Sequence, residues 1–65
     1  MSSRVSRILM IGGKQCRVTL IREAGGYDYE VRDVLRPAVL LANGWTAGTV
    51  REALDEAQAH AKARL

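Results

Sequence analysis

The chain has 65 residues, with ten Lys and Arg against seven Asp and Glu, for a formal net charge of +3. That is a single small domain, and a chain of this size buries only about 60% of the surface its unfolded form exposes, close to the limit for folding unaided. One Cys and one His exclude an internal disulfide and the zinc or iron–sulfur frameworks that need several soft ligands, so the fold must rest on its core or on association.

Hydrophobic residues make up 48% of the chain, with only Tyr27, Tyr29 and Trp45 aromatic. This is the balance of a globular protein whose small aliphatics carry the packing. The longest early apolar run, Ile8 to Ile11, is too short for a signal-peptide core or a membrane span. The expectation is a cytoplasmic protein with no membrane partner.

Residues 1–3 read as a loose polar tail, and residues 4–42 as strands. Val5 to Ile11 is rich in branched residues, and Gly12-Gly13 supplies the two positive-φ positions of a tight hairpin turn. A second strand follows from Lys14 or Gln15 to Arg22, with Cys16, Val18 and Leu20 on one face and Arg17, Thr19 and Ile21 on the other. A third runs from Tyr27 to Val34, with Tyr27, Tyr29 and Val31 alternating against Asp28, Glu30 and Arg32.

Register is testable, because a slip of one residue turns a strand's apolar set to the wrong face. A loop of Glu23 to Gly26 pairs Arg22 with Tyr27, Leu20 with Tyr29 and Val18 with Val31. Shortening that loop to Ala24 through Gly26 would set Leu20 against Glu30. The Gly12-Gly13 turn puts Leu9 opposite Cys16 and Val5 opposite Leu20, so both hairpins share one core face. Arg36-Pro37 interrupts the chain, Ala38 to Ala42 reads as a short fourth strand at an edge, and Asn43-Gly44 reads as a turn.

Residues 49–65 change to helical period. Val50, Ala53, Leu54, Ala57, Ala61 and Leu65 form one stripe, and Thr49 with Glu52 three residues later is a capping box. Acidic residues fall early in this helix and Lys62 and Arg64 late, as the helix dipole prefers. The order implies an α+β domain, an antiparallel meander of three or four strands with the helix on one face.

Candidate chemistry is sparse. Gly12-Gly13-Lys14 lacks the spacing, the following Ser or Thr and the helix of a phosphate loop. Cys16 belongs to the core face, and the only possible base, His60, stands near the far end of the helix, four residues after Glu56, with a solvated helix pair as its expected role. Asp28 and Glu30 share the polar face of their strand, with Arg17, Arg22 and Arg32 to balance them. No catalytic, cofactor or metal residue is assigned, and the expectation is that the chain is not an enzyme.

Two surfaces carry more information. Residues 1–23 hold Arg4, Arg7, Lys14, Arg17 and Arg22 against one acid, Glu23, a basic cluster of the kind that contacts nucleic-acid phosphates. The sheet face away from the helix shows Ile8, Met10, Ile21 and Val34 between charged residues. Such a rimmed apolar patch marks an interface, for a homodimer or a small protein partner, unless Trp45 or the fourth strand folds over it.

The run Gly26-Tyr27-Asp28-Tyr29-Glu30-Val31-Arg32-Asp33, followed by Gly48-Thr49-Val50-Arg51-Glu52-Ala53-Leu54-Asp55-Glu56-Ala57, resembles the HicB-like antitoxin domain, and also the end of other short bacterial β-β-β-α domains of unassigned activity. The resemblance covers about forty residues from Cys16. It implies a β-β-β-α core that, in that family, binds a small toxin nuclease. Departures are visible: Gly48 directly precedes Thr49, Leu35-Arg36-Pro37 replaces a Pro-Gly turn, and an extra strand comes first. The sequence therefore reads as a non-catalytic protein-interaction module, with a nucleic-acid-binding module using the basic hairpin as the alternative.

Overall fold

The computed structural model describes residues 3–65. Four strands, β1 (Arg4–Ile11), β2 (Lys14–Glu23), β3 (Gly26–Asp33) and β4 (Leu40–Ala47), precede one helix, α1 (Val50–Arg64). The strands pair antiparallel in sequence order, β1-β2-β3-β4, and the helix covers one face. This is the expected α+β meander. Of the expected tail, Met1 and Ser2 lie outside the described residues, while Ser3 is tied to the sheet through the Arg22 amide, which donates to its carbonyl at 3.0 Å.

Both hairpin registers follow the apolar pattern. Val5 faces Leu20 and Leu9 faces Cys16 across β1 and β2, and Val18 faces Val31 and Leu20 faces Tyr29 across β2 and β3. The turns are tighter than a four-residue loop requires. Glu23 and Gly26 pair as strand residues, leaving only Ala24 (φ 47°) and Gly25 (φ 80°) at the tip. Gly12 (φ 56°) and Gly13 (φ 81°) do the same between β1 and β2. Two consecutive left-handed residues match the twist of the flanking strands.

The fourth strand departs from the sequence expectation. It lies at an edge, but it runs Leu40–Ala47, straight through Asn43-Gly44, which is therefore not a turn. Asn43 pairs with Glu30 and Gly44 with Tyr29. The reason is steric: a Cβ on Gly44 would come within 2.8 Å of the Tyr29 hydroxyl oxygen and 3.0 Å of Cζ. Glycine here admits the neighbouring ring, a recognised use of glycine inside strands. The reversal happens earlier, where Asp33 Oδ1 accepts the Leu35 amide at 2.9 Å and the Val39 amide donates to Arg36 O at 2.8 Å. A register shift at Val31/Arg32 then brings Leu40 beside Arg32.

The helix is capped as its sequence dictates. The Thr49 side chain accepts from the Glu52 amide at 3.3 Å, and Glu52 Oε1 accepts from the Thr49 amide at 3.1 Å. Its deepest residues are Ala53, Ala57 and Ala61, all fully buried. Their small side chains allow the helix to settle closely on Val18, Leu20, Val31 and Ala42 of the sheet. Val50 and Leu54 are only partly buried beside this stripe, and Leu65 ends it over the first turn, where a Cβ on Gly12 would stand 3.0 Å from Leu65 Cδ1. The helix lies chiefly over β4 and β3 and only grazes β1. Among the described residues no element covers the opposite sheet face.

Candidate functional site

The uncovered face is built from every second residue of each strand, because side chains alternate across a sheet. Pairing aligns them in rows. Arg4, Ile21, Asp28 and Trp45 form one row, Ser6, Thr19, Glu30 and Asn43 the next, and Ile8, Arg17, Arg32 and Leu40 a third. Met10 and Gln15 follow at the β1–β2 turn end.

The first two rows enclose a hollow of about 510 Å³ whose walls include Arg4, Thr19, Ile21, Asp28, Glu30 and Trp45. Trp45 lies across the sheet rather than standing away from it. Its Nε1 donates to Glu23 O at 3.0 Å, and a Cβ on Gly26 would meet its Cζ2 at 2.8 Å and would collide with the Thr46 carbonyl oxygen. The third row is a ridge. Ile8 is 54% exposed and Leu40 44%, with the exposed Arg17 between Ile8 and Arg32. Arg32 is held by Glu30 and donates through Nη1 to Pro37 O at 3.0 Å.

Of the four apolar residues expected on this face, Ile8 and Met10 are exposed on β1, and Ile21 is half-buried in the floor of the hollow. Val34 stands just past β3, half-buried, its amide extending the ladder to Gln15 O at 3.0 Å. Trp45 (49% exposed) and Leu40, from the residues weighed as a possible cover for the patch, stand on this face beside it. Reading β4 through Asn43-Gly44 would have found Trp45, since the alternation of Asn43, Trp45 and Ala47 then falls opposite Glu30, Asp28 and Gly26.

The five basic residues separate. Arg4 and Arg17 belong to the uncovered face, while Arg7, Lys14 and Arg22 alternate onto the helix side of the sheet. Arg22 therefore does not balance Asp28 and Glu30 from their own face. Lys14 Nζ lies 3.5 Å from Asp33 Oδ2, and the backbone amide of Leu35 together with Lys14 holds the Asp33 carboxyl below the usual aspartate range.

The remaining reactive groups face the interior. Cys16 is fully buried, its thiol directed at Lys14 O at 3.6 Å, and burial, with Asp33 nearby, pushes its pKa up. A thiol held neutral is a poor nucleophile. His60 is not the solvated partner of Glu56 that helix spacing suggests. Its Nδ1 lies 2.7 Å from the buried Tyr29 hydroxyl, with the rings edge to face at 5.8 Å, and burial raises the Tyr29 pKa. Among the described residues no three His, Cys, Asp or Glu side chains gather as a metal site, and no helix is long and apolar enough to cross a membrane.

Comparisons with known proteins add no relative: no family model, curated protein or solved structure matches the chain.

Proposed function

We propose that this chain is a non-catalytic protein-interaction module of the cytoplasm, of the HicB-like antitoxin type, whose binding surface is the uncovered face of its sheet. The observation that carries the reading is the joint exposure of Ile8, Met10, Leu40 and Trp45 on one face, around a hollow that a partner's side chains can enter. The exposed apolar side chains stand at the two edges of this face, Ile8 and Met10 on β1 and Leu40 and Trp45 on β4, with Arg17, Arg32 and Asp28 between them; aromatic and Arg side chains, here Trp45 and Arg17, are the types that anchor interfaces. Support for the HicB-like type is the order of elements, with β2, β3 and the Thr49-Glu52 cap falling on the residues that carry the resemblance.

The nucleic-acid reading has less support, because Arg4 and Arg17 are separated from Arg7, Lys14 and Arg22 by the thickness of the sheet. A photo-crosslinking amino acid placed at Ile8, and separately at Glu56 on the exposed side of the helix, tests the interaction reading in cell extract. Protein adducts from position 8 and none from position 56 are expected. Equal labelling from both positions, or protein adducts from neither, rejects the surface, and adducts to nucleic acid alone favour the basic hairpin.

A further inference from the structure

We infer that the occupant of the uncovered sheet face is a second copy of this chain, docked face to face about a two-fold axis that runs across the strands. The inference rests on the reading of this face as the interaction surface and names its partner. On the two central strands the face divides by charge along the strand direction: Asp28 and Glu30 stand in the first two rows and Arg17 and Arg32 in the third, with Arg4 at the β1 edge of the first row. A two-fold axis perpendicular to the strands lays the first row of one copy on the third row of the other and keeps each strand over its own counterpart. Asp28 then meets Arg32 of the second copy, with Arg17 of that copy one strand away, and Trp45 meets Leu40, while Ile21 and Ile8 lie against the aliphatic stems of Arg17 and Arg4. Both sets of contacts occur twice, as an isologous interface requires.

The relief agrees with the charge. The hollow between Arg4 and Trp45 receives the ridge that carries Ile8, Arg17 and Leu40, and the ridge of the first copy enters the hollow of the second. The middle row meets itself, so Glu30 faces Glu30, but each is already paired with Arg32 of its own chain. The other two-fold arrangement, with the axis along the strands, would set Arg17 on Arg32 and Ile21 on Asp28. It would also lay Ile8 on Leu40, but the two Arg17–Arg32 contacts at its centre bring like charges together with no carboxylate of the second copy in that row, and this opposes it. The chain measures 30 × 21 × 15 Å, so its broad face is about 630 Å² in projection, at the low end of the roughly 600–1,000 Å² per partner that stable interfaces bury. The product is an eight-stranded sandwich with the two helices outside, packed as aligned sheets pack.

Sedimentation equilibrium of the purified chain between about 5 µM and 1 mM tests the inference, with Trp45, the only tryptophan, as a second signal through its emission maximum. A dimer whose formation moves the emission to shorter wavelength is expected. Asp28→Arg and Arg32→Asp should each raise the dimer dissociation constant at least tenfold, and an equimolar mixture of the two should restore a 1:1 dimer. Because Arg32 also holds Pro37 O, Arg17→Asp tests the same contact from a side chain with no hydrogen-bond or ion-pair partner among the described residues, and it too should weaken the dimer. Circular dichroism of each variant keeps loss of folding distinct from loss of pairing. A chain that stays monomeric to 1 mM, or a dimer indifferent to Asp28→Arg and Arg17→Asp, overturns the inference. Protein adducts from position 8 to other chains would then leave the interaction module standing with a different partner.

Discussion

The Tyr29 hydroxyl and His60 Nδ1, 2.7 Å apart, form the only side-chain hydrogen bond that joins the sheet to the helix among the described residues. It exists because the alanine stripe lowers the helix far enough for a residue at the stripe's margin to reach β3. Tyr29 is 6% exposed, so its hydroxyl has little water to turn to.

Tyr29→Phe should cost about 1 kcal/mol, the usual net value of one internal hydrogen bond. His60→Ala should cost a similar amount, and the double variant less than the sum by at least about 0.5 kcal/mol, since both changes remove the same bond. Urea unfolding followed by circular dichroism measures this. Strict additivity would show that the two groups are not coupled.

Gly44→Ala should destabilise by about 1–3 kcal/mol, the range for overpacking a filled site, because the new methyl meets the Tyr29 ring. In a Tyr29→Phe background the penalty should shrink, as the nearest atom, the hydroxyl oxygen, is gone. Asn43→Ala, one residue away and exposed, is the control and should change stability by no more than about 0.5 kcal/mol. Thermal melts of the three variants decide the matter.

Among the described residues Ala24 is the one non-glycine with positive φ, and left-handed backbone costs an L-residue with a Cβ roughly 1–2 kcal/mol. Ala24→Asn makes the Asn-Gly pair that two-residue hairpins prefer. The expected gain is about 0.5–1 kcal/mol, read as a higher melting temperature and an unchanged sheet spectrum.

Asp33 gives the pH dependence a sign. Its folded carboxyl titrates below the ordinary aspartate value of about 3.9 because the Leu35 amide and Lys14 favour the charged form. Below that value the unfolded chain takes up a proton before the folded one does. The stabilisation is complete above pH about 4 and disappears as pH falls through the folded pKa. Asp33→Asn should therefore lower stability at neutral pH and flatten the acid limb of the stability curve. An acid limb that keeps its full slope in Asp33→Asn would assign it to other carboxylates.

The sequence by itself determined the β1–β2 and β2–β3 registers, the core face, and the start of the helix. These are local or nearly local matters: a period of two, two tight turns and one capping box admit a single arrangement that brings Val5, Val18, Leu20 and Val31 together. Asn43-Gly44, His60 and Trp45 were decided only by tertiary structure. Each is set by a neighbour distant in the chain, Gly44 and His60 by the Tyr29 ring and Trp45 by the approach of β4 to Gly26. The uncovered face stood between the two cases. Alternation revealed Ile8, Met10 and Ile21, whereas the rows that segregate Asp28 from Arg17 and Arg32, and join Leu40 and Trp45 to them, came from four strands lying side by side, an order that no periodicity within a single strand encodes.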